Sequence, residues 1–177
     1  QTLMNLDFAQ SEVKKGDLEQ YLPQYSNVLN LFGNTKLDAN FYGFISDFVS
    51  KGEFKSELGY MKTDINLKTN SAFYDGKITL KDFNIGKLVG QEEYIQKISM
   101  TGKVKGNGFS IEKADFDLDA KISRLGALNY NYQGITTNGH FQRKLFDGEI
   151  VVRDPNLQMV VEGEINFADS SFNFVAK

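Results

Sequence analysis

The chain has 177 residues, 41% of them hydrophobic and 24% charged, with only two prolines. This is long enough for one domain with its own core and too apolar for an intrinsically disordered segment. The 20 basic and 23 acidic residues are interspersed and sum to −3, and there is no cysteine. The sequence therefore offers no basic patch for nucleic acid, no disulfide, no thiolate nucleophile and no Cys-ligated zinc.

No stretch approaches the ~20 apolar residues a membrane-spanning helix needs. The start, Gln1 to Phe8, lacks the charged segment and apolar run of a secretory leader and already reads as a strand from Leu3 to Phe8. The chain is expected to be soluble as it stands and to be a fragment of a longer protein, with any membrane anchor outside it. Asp17 is placed to cap a helical turn carrying Leu18, Tyr21 and Leu22, and Tyr25, Val28 and Leu29 continue the stripe past Pro23, which breaks or kinks a helix. One or two short helices are predicted between Asp17 and Phe32, as an insertion over residues 17–32.

Beyond Phe32 the dominant period is two, the period of a strand with one buried face. It is visible at Leu37, Ala39, Phe41, Gly43 and Ile45, and at Ile65 and Leu67. Further on it governs Ile98, Met100, Gly102 and Val104, then Leu118, Ala120 and Ile122, and finally Leu157, Met159, Val161, Gly163, Ile165 and Phe167. Leu58-Gly59, Asp75-Gly76, Gly106-Asn107-Gly108, Asp147-Gly148 and Asp154-Pro155-Asn156 carry turn chemistry and are predicted to close antiparallel hairpins. Ile85 to Val89 is read as a connector turn. The resulting class is all-β: an antiparallel sheet, solvated on one side.

An internal repeat relates YDGKITLKDFNI at Tyr74–Ile85 to FDGEIVVRDPNL at Phe146–Leu157, and Gly52–Phe54, Gly102–Val104 and Gly163–Ile165 look like further strand starts of the same design. Repeats of this kind bury their apolar faces by stacking on neighbours, so an elongated array is expected rather than a closed globule.

Catalytic chemistry finds little support. The lone histidine, His140, has no cysteine or second histidine to build a dyad or zinc site with and reads as a solvated strand residue. Asp115, Asp117 and Asp119 alternate on one face, the arrangement a calcium ion could use. They lack the glycine and terminal glutamate of an EF-hand loop and lie opposite Phe116, Leu118 and Ala120, which makes them the wet face of an amphipathic strand. Gly102, Gly106 and Gly108 lack the Lys-Ser/Thr pair and following helix of a phosphate loop and fit a tight hairpin better. No Gly-x-Ser-x-Gly elbow is present. The 15 Phe and 8 Tyr suit two roles, filling a β core or lining an open sheet that receives acyl chains.

Three stretches carry a family resemblance: DGKITLKDFNIGKLVGQ at Asp75–Gln91, GALNYNYQGITTNGHF at Gly126–Phe141, and FDGEIVVRDPNLQMVVEGEINF at Phe146–Phe167. Together with the repeated strands, they resemble the TamB family of large envelope proteins and its AsmA-like relatives. The similarity covers most of the chain and is weakest from Ser11 to Asn34. It implies an internal fragment of a periplasmic protein, anchored to the inner membrane by a segment outside this chain, whose sheet curls into a taco-like groove with an apolar interior. The family's membrane anchor and its C-terminal domain that meets the outer membrane have no counterpart in these residues.

On that resemblance the expected function is non-enzymatic: shielding phospholipid acyl chains between the inner and outer membranes, with no cofactor or metal. The outer-membrane BamA-like barrel partner would be met through regions outside the fragment. Groove-lining candidates are Ile98, Met100 and Val104, then Leu118 and Ile122, and then Leu157, Met159, Val161, Ile165 and Phe167. The alternative is a scaffold that assists outer-membrane proteins by adding strands at its edges. A carbohydrate-binding or hydrolytic domain ranks last, because there is no Trp for sugar stacking and no catalytic constellation.

Overall fold

Period-two patterning builds one sheet. The computed structural model describes residues 2–17, 19–20, 23–110, 112–166 and 172–176. The strands are β1 (Leu3–Val13), β2 (Thr35–Phe44), β3 (Asp47–Ser56), β4 (Gly59–Lys68), β5 (Phe73–Asn84) and β6 (Ile95–Asn107). They continue as β7 (Asp115–Ala127), β8 (Tyr130–Tyr132), β9 (Ile135–Gln142), β10 (Leu145–Asp154), β11 (Leu157–Asn166) and β12 (Phe172–Ala176). All join one 12-stranded sheet in chain order, except that the short β8 pairs only with β7, and β7 passes directly to β9. Every pairing is antiparallel. β1 and β12 do not pair, so the sheet is open.

Glycine makes the sheet curl. Gly52, Gly76, Gly102, Gly106, Gly139 and Gly148 all sit on the apolar face in mid-strand. A Cβ at Gly76 would strike the Asp64 carbonyl and the Ile65 backbone, and one at Gly148 the Asn138 carbonyl and Gly139 Cα. Neighbouring backbone thus folds over the glycine at these points, which only a residue without a side chain allows.

This geometry corrects several sequence-based expectations. Asp75-Gly76 and Asp147-Gly148 are not turns: each pair lies inside a strand, aspartate on the polar face and glycine on the apolar one. The Gly52, Gly102 and Gly163 segments are likewise mid-strand rather than strand starts. Gly102, Gly106 and Gly108 do not form a tight hairpin, because the first two belong to β6 and the third opens a longer β6–β7 loop. The β9–β10 turn instead falls at Arg143-Lys144, whose φ values of 48° and 74° match the primed two-residue turn that suits strand twist. Turns at Leu58 and at Pro155-Asn156 occur where the sequence placed them.

Among the described residues the insertion between β1 and β2 is helical over a 3-10 turn (Pro23–Tyr25) and α1 (Ser26–Phe32). Asp17 is no helix cap; its carboxylate accepts the Lys14 amide at 2.9 Å in a turn, and Leu18, Tyr21 and Leu22 lie outside the described residues. Ile85–Val89 is a five-residue helix, α2, rather than a turn, capped by the Asn84 carboxamide oxygen accepting the Lys87 amide at 2.9 Å.

If curl is set by glycine, Gly148→Val will lower stability to chemical denaturation by about 1–3 kcal/mol, the usual cost of forcing bulk into a packed position, whereas Asp147→Val on the opposite face will change it by roughly 0.5 kcal/mol or less. Equal effects of the two would remove this role for the glycine.

Candidate functional site

The apolar face of the sheet is the candidate site, and strand register assembles it row by row. Leu80, Met100, Ile122, Ile135, Val152 and Met159 are paired partners across β5, β6, β7, β9, β10 and β11. Ile78, Gly102, Ala120, Thr137, Ile150 and Val161 form the next row, and Gly76, Val104, Leu118, Gly139, Gly148 and Gly163 the one after. The fourth row is Tyr74, Gly106, Phe116, Phe141, Phe146 and Ile165. Glycine stands beside aromatic or branched residues, so the concave side holds bulk without collision.

Residues chosen from sequence fall on this one face although β9 and β10 separate their strands. Ile98, Met100, Ile122 and Val161 are buried, while Val104, Leu118, Met159 and Ile165 are half-buried. Leu157 sits at the rim, 36% exposed, and Phe167 lies outside the described residues. The two repeat copies occupy equivalent places: Tyr74 and Phe146 share the fourth row, Gly76 and Gly148 the third, Ile78 and Ile150 the second. The correspondence ends where β5 continues through a bulge after Leu80 and β10 turns after Asp154.

Several contributors were not among the groove-lining candidates, although the alternation already puts Phe116 on the apolar face. Phe116 and Phe141 stack at 5.1 Å between centroids; Leu80, Phe83, Ile135 and Val152 are core residues. Reading glycine as an inward position inside a strand would have recovered Phe146, Ile150 and Val152 from FDGEIVV. Burial pushes the Tyr74 hydroxyl up to about 12, with the Asp115 carboxylate adding to the effect, and that hydroxyl donates to the Asn107 carbonyl at 3.3 Å.

The helical insertion lies across this face. At one end the Tyr25 ring meets Phe109 at 5.0 Å and its hydroxyl donates to the Thr69 carbonyl at 2.9 Å; Phe109 in turn stacks on Tyr74. At the other end Phe32 packs on Phe83 at 6.2 Å, and its carbonyl accepts the Glu57 amide. Leu31, with Ile85 and Leu88 of α2, covers the same cluster. No residue of α1 is fully buried and no side chain caps its start, so the helix is held by these end contacts more than by its own turn energetics.

A polar clasp closes a second region of the face. Asp154, 1% exposed, accepts the Tyr130 hydroxyl and the Gln133 and Asn156 amides, each at 2.9 Å, and the Asn156 carboxamide donates to the Tyr130 oxygen at 2.7 Å. This joins the β8 hairpin to the β10–β11 turn. The Asn156 amide above all, with Tyr130 and Gln133, holds the Asp154 carboxyl below its ordinary 3.8.

The opposite face is polar. Lys62–Glu53 and Lys105–Asp75 pair at 3.0 Å and Lys51–Asp64 at 3.5 Å; exposed pairs of this kind contribute little stability. His140 stands between two of the three strand aspartates, Nδ1 2.9 Å from Asp117 and Nε2 3.2 Å from Asp115, and Gln142 also donates to Asp115 at 2.9 Å. Asp115, Asp117 and Asp119 thus lie on the outer face. Among the described residues no group of three or more acidic or histidine side chains is arranged to hold a metal ion, and no helix is long and apolar enough to cross a membrane.

Comparison of the chain with protein families, with curated proteins and with solved structures finds no match.

Because the Asp154 carboxyl is lowered in the folded state, its contribution to stability is present above the ordinary 3.8 and fades as pH falls through the lower folded value. The loss of stability in Asp154→Asn relative to the parent, measured by thermal denaturation, will be full at neutral pH and will shrink in acid below that range. A loss independent of pH would show that shape, not charge, holds the clasp.

Proposed function

We propose that the concave apolar face shields acyl chains of phospholipid, and that the chain acts without catalysis or cofactor as part of a TamB-like envelope protein. The observation that carries this reading is the continuity of the face: four rows of apolar side chains and glycines, with Thr137 the one polar member, run in register from β5 to β11 on one open sheet, and Val104, Leu118 and Met159 within them keep partial exposure. A stacked two-sheet core would bury such positions fully. Polar and charged residues on the outer face keep such a strip in solution, and the sequence resemblance supplies the envelope context. The same resemblance places the protein in the periplasm, anchored to the inner membrane and meeting an outer-membrane barrel partner through other regions. The helical segment Pro23–Phe32, lying across β4 to β6 and weakly built, is then a stand-in for lipid that an acyl chain displaces.

A second reading, a scaffold that adds strands to outer-membrane proteins, draws on the free edge of β1, where Leu3 and Leu6 are 54% and 43% exposed and the outer row of backbone donors has no partner strand in the sheet.

Photo-crosslinking amino acids at Val104, Leu118 and Met159 in the full-length protein in cells will capture phospholipid, while Lys103, Asp119 and Gln158 on the opposite face will not. Phe32→Ala, which loosens the covering helix, will raise the yield. Crosslinks confined to the chain itself at all three inner positions would end the lipid reading; adducts with nascent outer-membrane proteins at Asn5 or Asp7 of β1 would favour the scaffold.

A further inference from the structure

The polar face holds a hollow of about 630 Å³ bordered by Thr79, Lys81, Thr101, Lys121, Thr136 and Arg153, with Ser99 and Ser123 along one side. Its origin is in the pairing. β5 shifts register between Leu80 and Phe83, and the β6–β7 ladder shifts twice, between Ile95 and Ile98 and between Ser99 and Met100. Bulges bend strands and redirect side chains, and these fall side by side in adjacent strands at the level of the hollow. Elsewhere from β3 to β7 several cations on the polar face have a carboxylate partner, as in Lys51–Asp64, Lys62–Glu53 and Lys105–Asp75, although Lys77 and Lys103 face each other across β5 and β6. Three cations border the hollow and no carboxylate does.

Of the acids around it, Asp119 stands two residues before Lys121 on the same face of β7, opposite Lys103, and Asp82 is already engaged. It forms an ion pair with Arg124 and receives the Ser99 hydroxyl at 3.5 Å, while its amide donates to Ser99 at 2.9 Å. Ser123 donates to the Ser99 carbonyl, and Lys81 lies over the Tyr60 ring, 5.0 Å from its centroid. The Lys121 ammonium, Arg153 guanidinium and Thr136 hydroxyl have no side-chain partner among the described residues. Lys121 stands two strands from Lys81 on one side and two strands from Arg153 on the other, and each of these lies two residues along its strand from the position in register with Lys121, Thr79 and Val151; at about 4.8 Å per strand and about 3.4 Å per residue, neighbouring cations branch from backbone positions about 12 Å apart.

We propose that this hollow is an anion-binding site for a ligand carrying more than one phosphate group, with Lys121 and Arg153 as its principal contacts and Thr136 and Thr101 as hydroxyl donors. Phosphate is favoured over a single carboxylate because the cations are spread over a distance one carboxylate does not bridge, and guanidinium and ammonium groups together suit phosphate oxygens. The phosphates come from a soluble polyanion or from lipid headgroups. The site is independent of the acyl-chain reading, since it lies on the opposite face.

Titration of the whole chain with short-chain linear polyphosphate, and separately with phosphatidylcholine vesicles with and without phosphatidic acid, distinguishes the sources. Lys121→Gln/Arg153→Gln will weaken binding about tenfold or more and lessen its salt dependence, whereas Lys36→Gln/Lys55→Gln, the same charge change outside the hollow, will leave affinity within about twofold. Circular dichroism checks that both exposed double variants stay folded. Saturable binding to polyphosphate alone assigns a soluble ligand; binding only to vesicles with phosphatidic acid, lost in the first variant, assigns a headgroup. Equal weakening by both double variants, or saturable binding to neither probe, would overturn the site.

Discussion

A sheet with one apolar face and no second layer must find cover for that face, and this need governs the rest of the fold. Twelve strands in nearly sequential order form a single open sheet, so the cover comes from curvature and from the chain's own short helices. Exposing four rows of aliphatic and aromatic side chains on a flat sheet would forfeit about 25 cal/mol for each Å² left in water. Curling recovers part of that area but brings the backbones of adjacent strands close together on the concave side. Glycines at mid-strand relieve the crowding there, accepting the weaker intrinsic strand preference of glycine in exchange.

The same constraint explains the ends of the face. Phe32, Leu31, Ile85 and Leu88 close over Leu58 and Phe83, and Asp154 with Tyr130 and Asn156 clasps the β8 hairpin to the β10–β11 turn. A nearly inaccessible carboxylate is tolerable only because three donors meet it. Between these closures the rows remain partly open, and this partial cover makes an acyl chain a chemically suitable occupant.

The two faces divide the physical work. Most apolar side chains and mid-strand glycines lie on the concave side and most charges on the other, where several complementary cross-strand pairs run between β3 and β6. Bulges lie at one level of the sheet, where three cations border a hollow and no carboxylate does. Strand alternation thus permits an apolar surface and a cationic one on opposite sides of the same few residues, since consecutive side chains point to opposite faces.

The sequence by itself determined the β class, the antiparallel order and the assignment of residues to faces, because a period of two is a local property: Met100, Leu118, Met159 and Val161 could be placed on an apolar face from their neighbours alone. It also showed the repeat that sets Tyr74 and Phe146 in equivalent positions. It misled at Asp75-Gly76 and Asp147-Gly148, since the dipeptide that suits a turn also suits a strand whose inward position lacks room for a side chain; that lack of room comes from Asp64, Ile65 and Asn138 on other strands. Arg143-Lys144 turns without any turn-forming residue, held by the pairing of β9 and β10. The path of the Pro23–Phe32 segment over the sheet, the clasp around Asp154 and the cations around Lys121 were decided only by tertiary structure, because each joins residues that local sequence pattern does not link.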